Sequence, residues 1–295
     1  MKTLKDINNI LILGSGTLGL RIGLACALNG YQVVIFDINS KAFDDAKKIH
    51  QQLLKILTKA GTYSLEQADL AIQNIRFTTD AKDAAKDADL VSESVTENID
   101  IKKQVWLQFG GLCPEKTIFT TNTSSLLPSL YAAETGRPEH FCAFHFHDVF
   151  YANVVDIMPN PKTESWMMPL LQDFGKSIQQ TPVFVKKESP AYIFNAMLIA
   201  LIGAAGALVT FDVGSIEDVD RSWMGNFKMS RGPFGIIDEI GLDTAWHVTS
   251  PNKDEKSKRF AALLKTYIDQ GKLGRKTGEG FYVYPNPRFM EEDFI

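Results

Sequence analysis

The sequence predicts an α/β domain built on a doubly wound parallel sheet, followed by an all-α C-terminal domain. Three observations predict it. Apolar runs of strand length alternate with helix-period segments through the first two thirds of the chain. The first of these runs opens into a glycine-rich turn and a small-residue helix. From Ser189 onward the pattern is almost wholly helical, with breaks at Gly214, Gly225, Gly232-Pro233 and Gly241. Two domains suit a chain of 295 residues. The boundary is expected near Lys187, giving domains over 1–187 and 188–295.

Residues 10–37 form one continuous device. An apolar strand over 10–13 leads into Gly14, Gly16 and Gly19, at G-x-G-x-x-G spacing, with Ser15, Thr17 and Leu18 between them. A helix over 20–28 follows, Gly30 breaks it, and a second strand over 32–36 ends on Asp37. Each part has a physical task. Gly14 permits the tight turn, and Gly16 lets backbone approach a pyrophosphate. Gly19 lets the helix pack on the sheet, and the helix N-terminus offers N–H donors to phosphate. This is a Rossmann-type dinucleotide fingerprint, with Asp37 placed to accept from an adenosine ribose. A 2′-phosphate beside Asp37 would meet like charge. At about 4 Å and an effective dielectric of about 20, that repulsion is about 4 kcal/mol per unit charge pair. Ile38, Asn39 and Ser40 bring no arginine to offset it, so NAD is expected rather than NADP.

Further elements follow in order. A polar helix covers 41–59, a short strand 74–78 and a charged helix 81–87. A strand over 89–92 leads into Glu93-Ser-Val-Thr-Glu97. A helix over 99–109 has apolar positions at Ile101, Val105 and Phe109. Strands are expected over 118–121, 141–146 and 154–158, with 182–185 as a last one. The stretch 191–211 is apolar enough by length to span a bilayer. It stands alone, without an aromatic belt or a one-sided basic flank, and is read as a helix of a domain core or subunit interface.

The bulk numbers are those of a globular protein, with 45% hydrophobic residues. A net charge of −4 without a basic cluster argues against nucleic acid. Cys26, Cys113 and Cys142 are odd in number and lack metal spacing, which suits buried thiols in a reducing cytosol. No metal site is expected. Residues 1–9 have no apolar core of a signal peptide.

A nicotinamide cofactor implies hydride transfer, and alcohol oxidation needs a base. His145 and His147 lie at a strand end with period two, so they share a face. Each can be read as a structural histidine or as the base. A carboxylate partner favours the second reading, and Asp156 in the next strand is the candidate. Asn122-Thr123-Ser124-Ser125 also follows a strand end, where it can orient a substrate or cap a helix. Asn195, polar in an apolar helix, is read as an interface hydrogen bond or a substrate contact.

Seven segments carry a family resemblance: GSGTLG with Asp37, ESVTENIDIKK, TTNTSSL, AFHFHD, SPAYIFNAM, SRGPFGIIDEIGLDT and GKLGRKTGEGFYVY. In order and rough spacing the chain resembles the short-chain L-3-hydroxyacyl-CoA and 3-hydroxybutyryl-CoA dehydrogenases over nearly its whole length. The resemblance implies reversible, NAD-dependent oxidation of an L-3-hydroxyacyl-CoA to the 3-ketoacyl-CoA. It also implies a homodimer joined through the helical domain, which the cysteines place in the cytoplasm. On it, His145 is the catalytic base with Asp156 as its carboxylate, and Ser124 and Asn195 bind the substrate oxygen. Glu97 and Lys102 line the cofactor, Asn122 approaches the nicotinamide ribose, and Lys276 lies near the cofactor. Lys55 and Lys59 are possible CoA contacts, with a solvated charged face as the alternative.

The chain departs from that pattern in two places. The usual H-F-F-N-P is His145-Phe146-His147-Asp148-Val149, and Asp156 stands where glutamate is usual, after a segment one residue shorter. An ionised Asp148 facing the substrate would oppose alkoxide character, so it is expected to turn away, helped by the loss of the proline at Val149. Two alternatives stand beside the acyl-CoA reading. One is a dehydrogenase of a free hydroxy acid, of sugar-acid or carnitine type. The other is a non-catalytic NAD-binding protein.

Overall fold

The computed structural model describes residues 2–295. Its chain divides into two compact units, over 1–193 and 194–295. The division falls just before an apolar helix, a little later than the expected Lys187.

In the first unit, β1 (Asn9–Leu13), α1 (Thr17–Leu28) and β2 (Gln32–Phe36) are followed by α2 (Ala42–Lys59). Next come α3 (Leu65–Gln73), β3 (Ile75–Thr78), α4 (Ala81–Ala85), β4 (Leu90–Glu93) and α5 (Ile99–Leu112). The unit continues with β5 (Ile118–Thr121), β6 (Phe141–Phe146), β7 (Val154–Pro159), α6 (Met167–Ser177) and β8 (Thr181–Phe184). Among the described residues the strands form one sheet, ordered β3-β2-β1-β4-β5-β6-β7-β8. Pleating explains the strands. Ile10 and Ile12 enter one apolar cluster with α1, whereas Leu11 and Leu13 enter another with Trp106 and Phe109 of α5. A sheet covered on both faces needs continuous apolar runs rather than alternation.

The sheet is parallel, as its alternating strands and helices predict, except at one step. β6 and β7 are antiparallel, with His145 opposite Asp156. Only residues 147–153 join them, whereas a parallel return needs a dozen residues or more. α3 and α6 also lay outside the sequence reading. α3 opens with a capping box at Ser64 and Gln67. The packing face of α6 is Met167, Leu170, Leu171 and Phe174.

The second unit holds α7 (Phe194–Thr210), α8 (Ile216–Phe227), α9 (Pro233–Ile240), α10 (Leu242–Thr249) and α11 (Glu255–Ile268). Phe234, Ile237, Leu242, Phe260 and Leu264 centre its own core. Among the described residues no helix is long and apolar enough to cross a membrane.

Candidate active site

The glycine turn has the geometry its spacing implies. Gly14 has φ +103°, in the region that favours glycine. A Cβ on Gly19 would lie 2.1 Å from the Gly14 carbonyl oxygen. A Cβ on Gly16 would meet nothing within 4 Å, which leaves room for a phosphate to approach. Gly16 is also the N-cap of α1. A cavity of about 520 Å³ opens beside this turn, lined by Gly14, Gly16, Asp37, Ile38, Val95 and Ile101 among others. These residues fit a dinucleotide, with the carboxyl ends of β1, β2 and β4 as its floor.

Asp37 is held in place. Its Oδ2 accepts from Ser15 N (2.8 Å) and Ser15 Oγ (2.6 Å), and its Oδ1 from Asn39 N (3.0 Å). Burial pushes its pKa up, but the Ser15 and Asn39 donors outweigh that and hold it below the usual carboxylate range.

Glu93 had no role in the sequence reading, although it closes β4. It is fully buried, and its Oε1 accepts from Lys102 Nζ (2.7 Å) and Val95 N (2.8 Å). Its Oε2 accepts from Thr121 Oγ1 (2.7 Å). This corrects the expectation for Lys102. At 1% exposure its ammonium is spent on Glu93, with Glu97 Oε2 at 3.3 Å, and it does not itself line the cofactor cavity. Burying a charge requires such pairing. Glu97 accepts from Thr123 Oγ1 and from Ser125 Oγ (2.8 Å). Burial raises the Glu97 pKa, but the Thr123 hydroxyl and the Lys102 charge bring it below its usual value. The chain Lys102–Glu97–Thr123 thus fixes the loop that carries Ser124.

That loop does not cap an α-helix. Thr123 Oγ1 instead accepts from Leu126 N (3.0 Å), closing a turn, and Ser124 is exposed on it. The Asn122 oxygen accepts from Phe146 N (2.8 Å), so Asn122 ties the end of β5 to the end of β6. No sequence pattern announces that contact.

At the end of β6, His145 and Asp156 face each other across the antiparallel ladder. His145 Nδ1 lies 3.4 Å from Asp156 Oδ2. His147, two residues on and on the same face, brings Nε2 within 2.9 Å of the same oxygen. Both imidazoles thus share Asp156, a contact the sequence reading gave to His145 alone. Burial raises the Asp156 pKa, but the hydrogen bonds and charge of the two histidines hold it below the usual range. Tyr192 stacks on His145, with ring centroids 4.7 Å apart and planes at 28°, and its hydroxyl donates to Thr123 O (2.7 Å). Tyr192 and Ala191 both have positive φ, 56° and 62°, a conformation that costs non-glycine residues of order 1 kcal/mol. Tyr192 was missed, since only its place in SPAYIFNAM hinted at it.

Asp148 is turned to α1. It pairs with Arg21 of α1, and its Oδ1 accepts from Tyr151 N (2.9 Å). Val149 has φ +92°, which proline cannot adopt, so loss of the proline and rotation of Asp148 go together.

Two expected site residues belong to the second unit. Asn195 is half-buried in the first turn of α7 rather than enclosed mid-helix, so burial does not force a partner on it. Lys276 pairs with both carboxylate oxygens of Asp243 at 2.6 Å. Lys55 and Lys59 are exposed on α2.

Residues 9–189 match the family model of the 3-hydroxyacyl-CoA dehydrogenase NAD binding domain, and residues 192–284 match that of its C-terminal domain. A probable 3-hydroxyacyl-CoA dehydrogenase of Caenorhabditis elegans is 32% identical, over 95% of this chain and 97% of its own. The 5-formyl-3-hydroxy-2-methylpyridine 4-carboxylate 5-dehydrogenase of Mesorhizobium japonicum is 31% identical, over 94% and 91%. Among solved structures, a diketoreductase acting on dicarbonyl compounds is similar at TM-score 0.90 and 39% identity, covering 96% of this chain and 100% of that one. The chain belongs to the 3-hydroxyacyl-CoA dehydrogenase family and is an NAD-dependent oxidoreductase that acts on a hydroxyl group.

Proposed function

We propose that the protein interconverts a short-chain L-3-hydroxyacyl-CoA and its 3-ketoacyl-CoA, with His145 as base. The pairing of His145 with Asp156 across β6 and β7 carries this reading. A neutral imidazole has one N–H and one lone pair. With the N–H on Nδ1, turned to Asp156, Nε2 keeps the lone pair that accepts the substrate's hydroxyl proton. Asp156 then stabilises the imidazolium, and the Tyr192 ring holds the imidazole plane. Ser124 and Asn195 donate to the substrate oxygen as charge builds on it.

Gly14, Ser15, Gly16, Thr17, Leu18 and Gly19 would hold the pyrophosphate, and Asp37 the adenosine ribose. Asn122 and Glu97 would lie along the nicotinamide half, with Lys276 near it. When bound, the nicotinamide supplies the hydride acceptor. A homodimer joined through the helical unit and a cytosolic setting belong to the same proposal. Large apolar side chains exposed on α7, such as Met197, support the first, and three free, buried cysteines suit the second.

A non-CoA substrate is the second reading. It is favoured by the diketoreductase and pyridine-carboxylate relatives. One assay separates them. NADH consumption is measured with acetoacetyl-CoA and with a free dicarbonyl compound, and NADH formation with 3-hydroxybutyryl-CoA and a panel of free hydroxy acids. The acyl-CoA reading expects the highest kcat/KM on the thioesters. A preference of tenfold or more for the free compounds would overturn it.

A further inference from the structure

General-base chemistry uses His145 and Asp156 but gives no task to His147, the third member of their cluster. We infer that these three side chains are also a binding site for a divalent transition-metal ion of the zinc class, and that the ion switches the base off. The inhibitory half rests on His145 being the base.

The site follows from strand geometry. Antiparallel register sets Asp156 opposite His145, and the two-residue period puts His147 on the same face. One nitrogen from each imidazole and one oxygen from the carboxylate all lie within 4.8 Å of one another. Two of the separations, 2.9 and 3.4 Å, bracket the roughly 3.3 Å between ligand atoms of a tetrahedral ion with bonds near 2.0 Å. Two imidazoles and one carboxylate are a common ligand set for zinc, with water in the fourth position. His145 and Asp156 are buried and His147 is mostly so, which holds the ligands in place before the ion arrives. Asp148 is not a fourth ligand, because it is turned to Arg21.

Tautomer chemistry supplies the consequence. A metal on His145 Nδ1 uses the lone pair there, so the ring's proton moves to Nε2. Nε2 then has no lone pair for a substrate proton. One imidazole cannot both hold the ion at Nδ1 and act as base at Nε2. Metal binding and alcohol oxidation are therefore mutually exclusive, and a chelator reverses the block.

The test uses the full chain, stripped with EDTA and dialysed. Zinc chloride is titrated by calorimetry, and cobalt(II) chloride by its visible ligand-field bands, for the native protein, His147→Phe and His147→Gln. Thermal melts confirm that the variants fold. One ion per chain is expected, with affinity weakened at least about tenfold in both variants. Zinc should abolish native turnover as the site fills, EDTA should restore it, and each variant should lose its own rate only at correspondingly higher zinc. No binding up to about 1 mM, or equal binding by both variants, would overturn the site. A filled site with unimpaired turnover would overturn the inhibitory role. The rate of His145→Gln without metal tests the base separately, so the two failures are distinguishable.

Discussion

At His145 one ring nitrogen is turned to a carboxylate and the ring is clamped by Tyr192. Removing that imbalance of lone pair and N–H removes the base. His145→Gln is expected to lower kcat by about 10²–10⁴, with NAD affinity changed less than about twofold in a fluorescence titration. His147→Gln should cost much less. The reverse order of damage would reassign the base within the same strand end. Asp148 tests the opposite point. Its charge is spent on Arg21 and on the turn at Tyr151, at a side chain about 30% exposed. Asp148→Asn should therefore change kcat/KM by under about tenfold, or about 1.4 kcal/mol. A large gain on acyl-CoA would show that the acid faces the substrate. His145 and Asp148 were legible as chemistry because both stand in or beside a known spacing. Glu93, Tyr192 and the second histidine on Asp156 were not, because their contacts are set by side-chain packing and strand register rather than by spacing.

Among the elements, the antiparallel step from β6 to β7 does the most for the site. A seven-residue span cannot carry the chain back for a parallel strand, so it turns, and the turn puts the carboxylate on the histidine. The helical unit has its own tight contact. A Cβ on Gly206 of α7 would lie 2.4 Å from ring atoms of Phe260 on α11, whose ring is buried and has nowhere to move. Gly206→Ala should destabilise the unit by about 1–3 kcal/mol, read as a lower midpoint in urea with little change in slope. An unchanged midpoint would mean that the two helices separate at no cost. The small residues of this helix were visible in the sequence. Which of them touches a neighbour was not.

Across the molecule, the start of β1 is bound to β4 and β5 through one buried acid. Asp89 accepts from Asn8 N (3.0 Å), Asn9 N (2.9 Å) and Asn9 Nδ2 (3.0 Å), and pairs with Lys116. Burial raises its pKa, but the Lys116 ammonium and the Asn9 and Asn8 donors bring it below the ordinary 3.8. The sign follows from linkage. The unfolded chain binds the proton more readily, so this stabilisation is present above about pH 4 and is lost as pH falls through the folded value. Asp89→Asn should cost about 1.5–3 kcal/mol at pH 7, the worth of hydrogen bonds to a charged group. The difference from the native protein should shrink toward pH 3 in denaturant titrations at stepped pH. A constant difference would mean that the charge of Asp89 contributes nothing.

Local pattern alone was enough for the strand–turn–helix of the nucleotide fingerprint, the cofactor it selects and the change to an all-helical second half. Those features depend on neighbours within about thirty residues, where period, glycine position and a terminal acid act directly. Only the folded chain decided the direction of β7, the sharing of Asp156 by two histidines, the burial of Lys102 against Glu93 and the turn of Asp148 to Arg21. Each of these depends on strand direction, side-chain packing or a backbone angle such as that of Val149, which period and glycine position do not encode. Their energies come from burial and pairing, which exist only once the sheet has assembled.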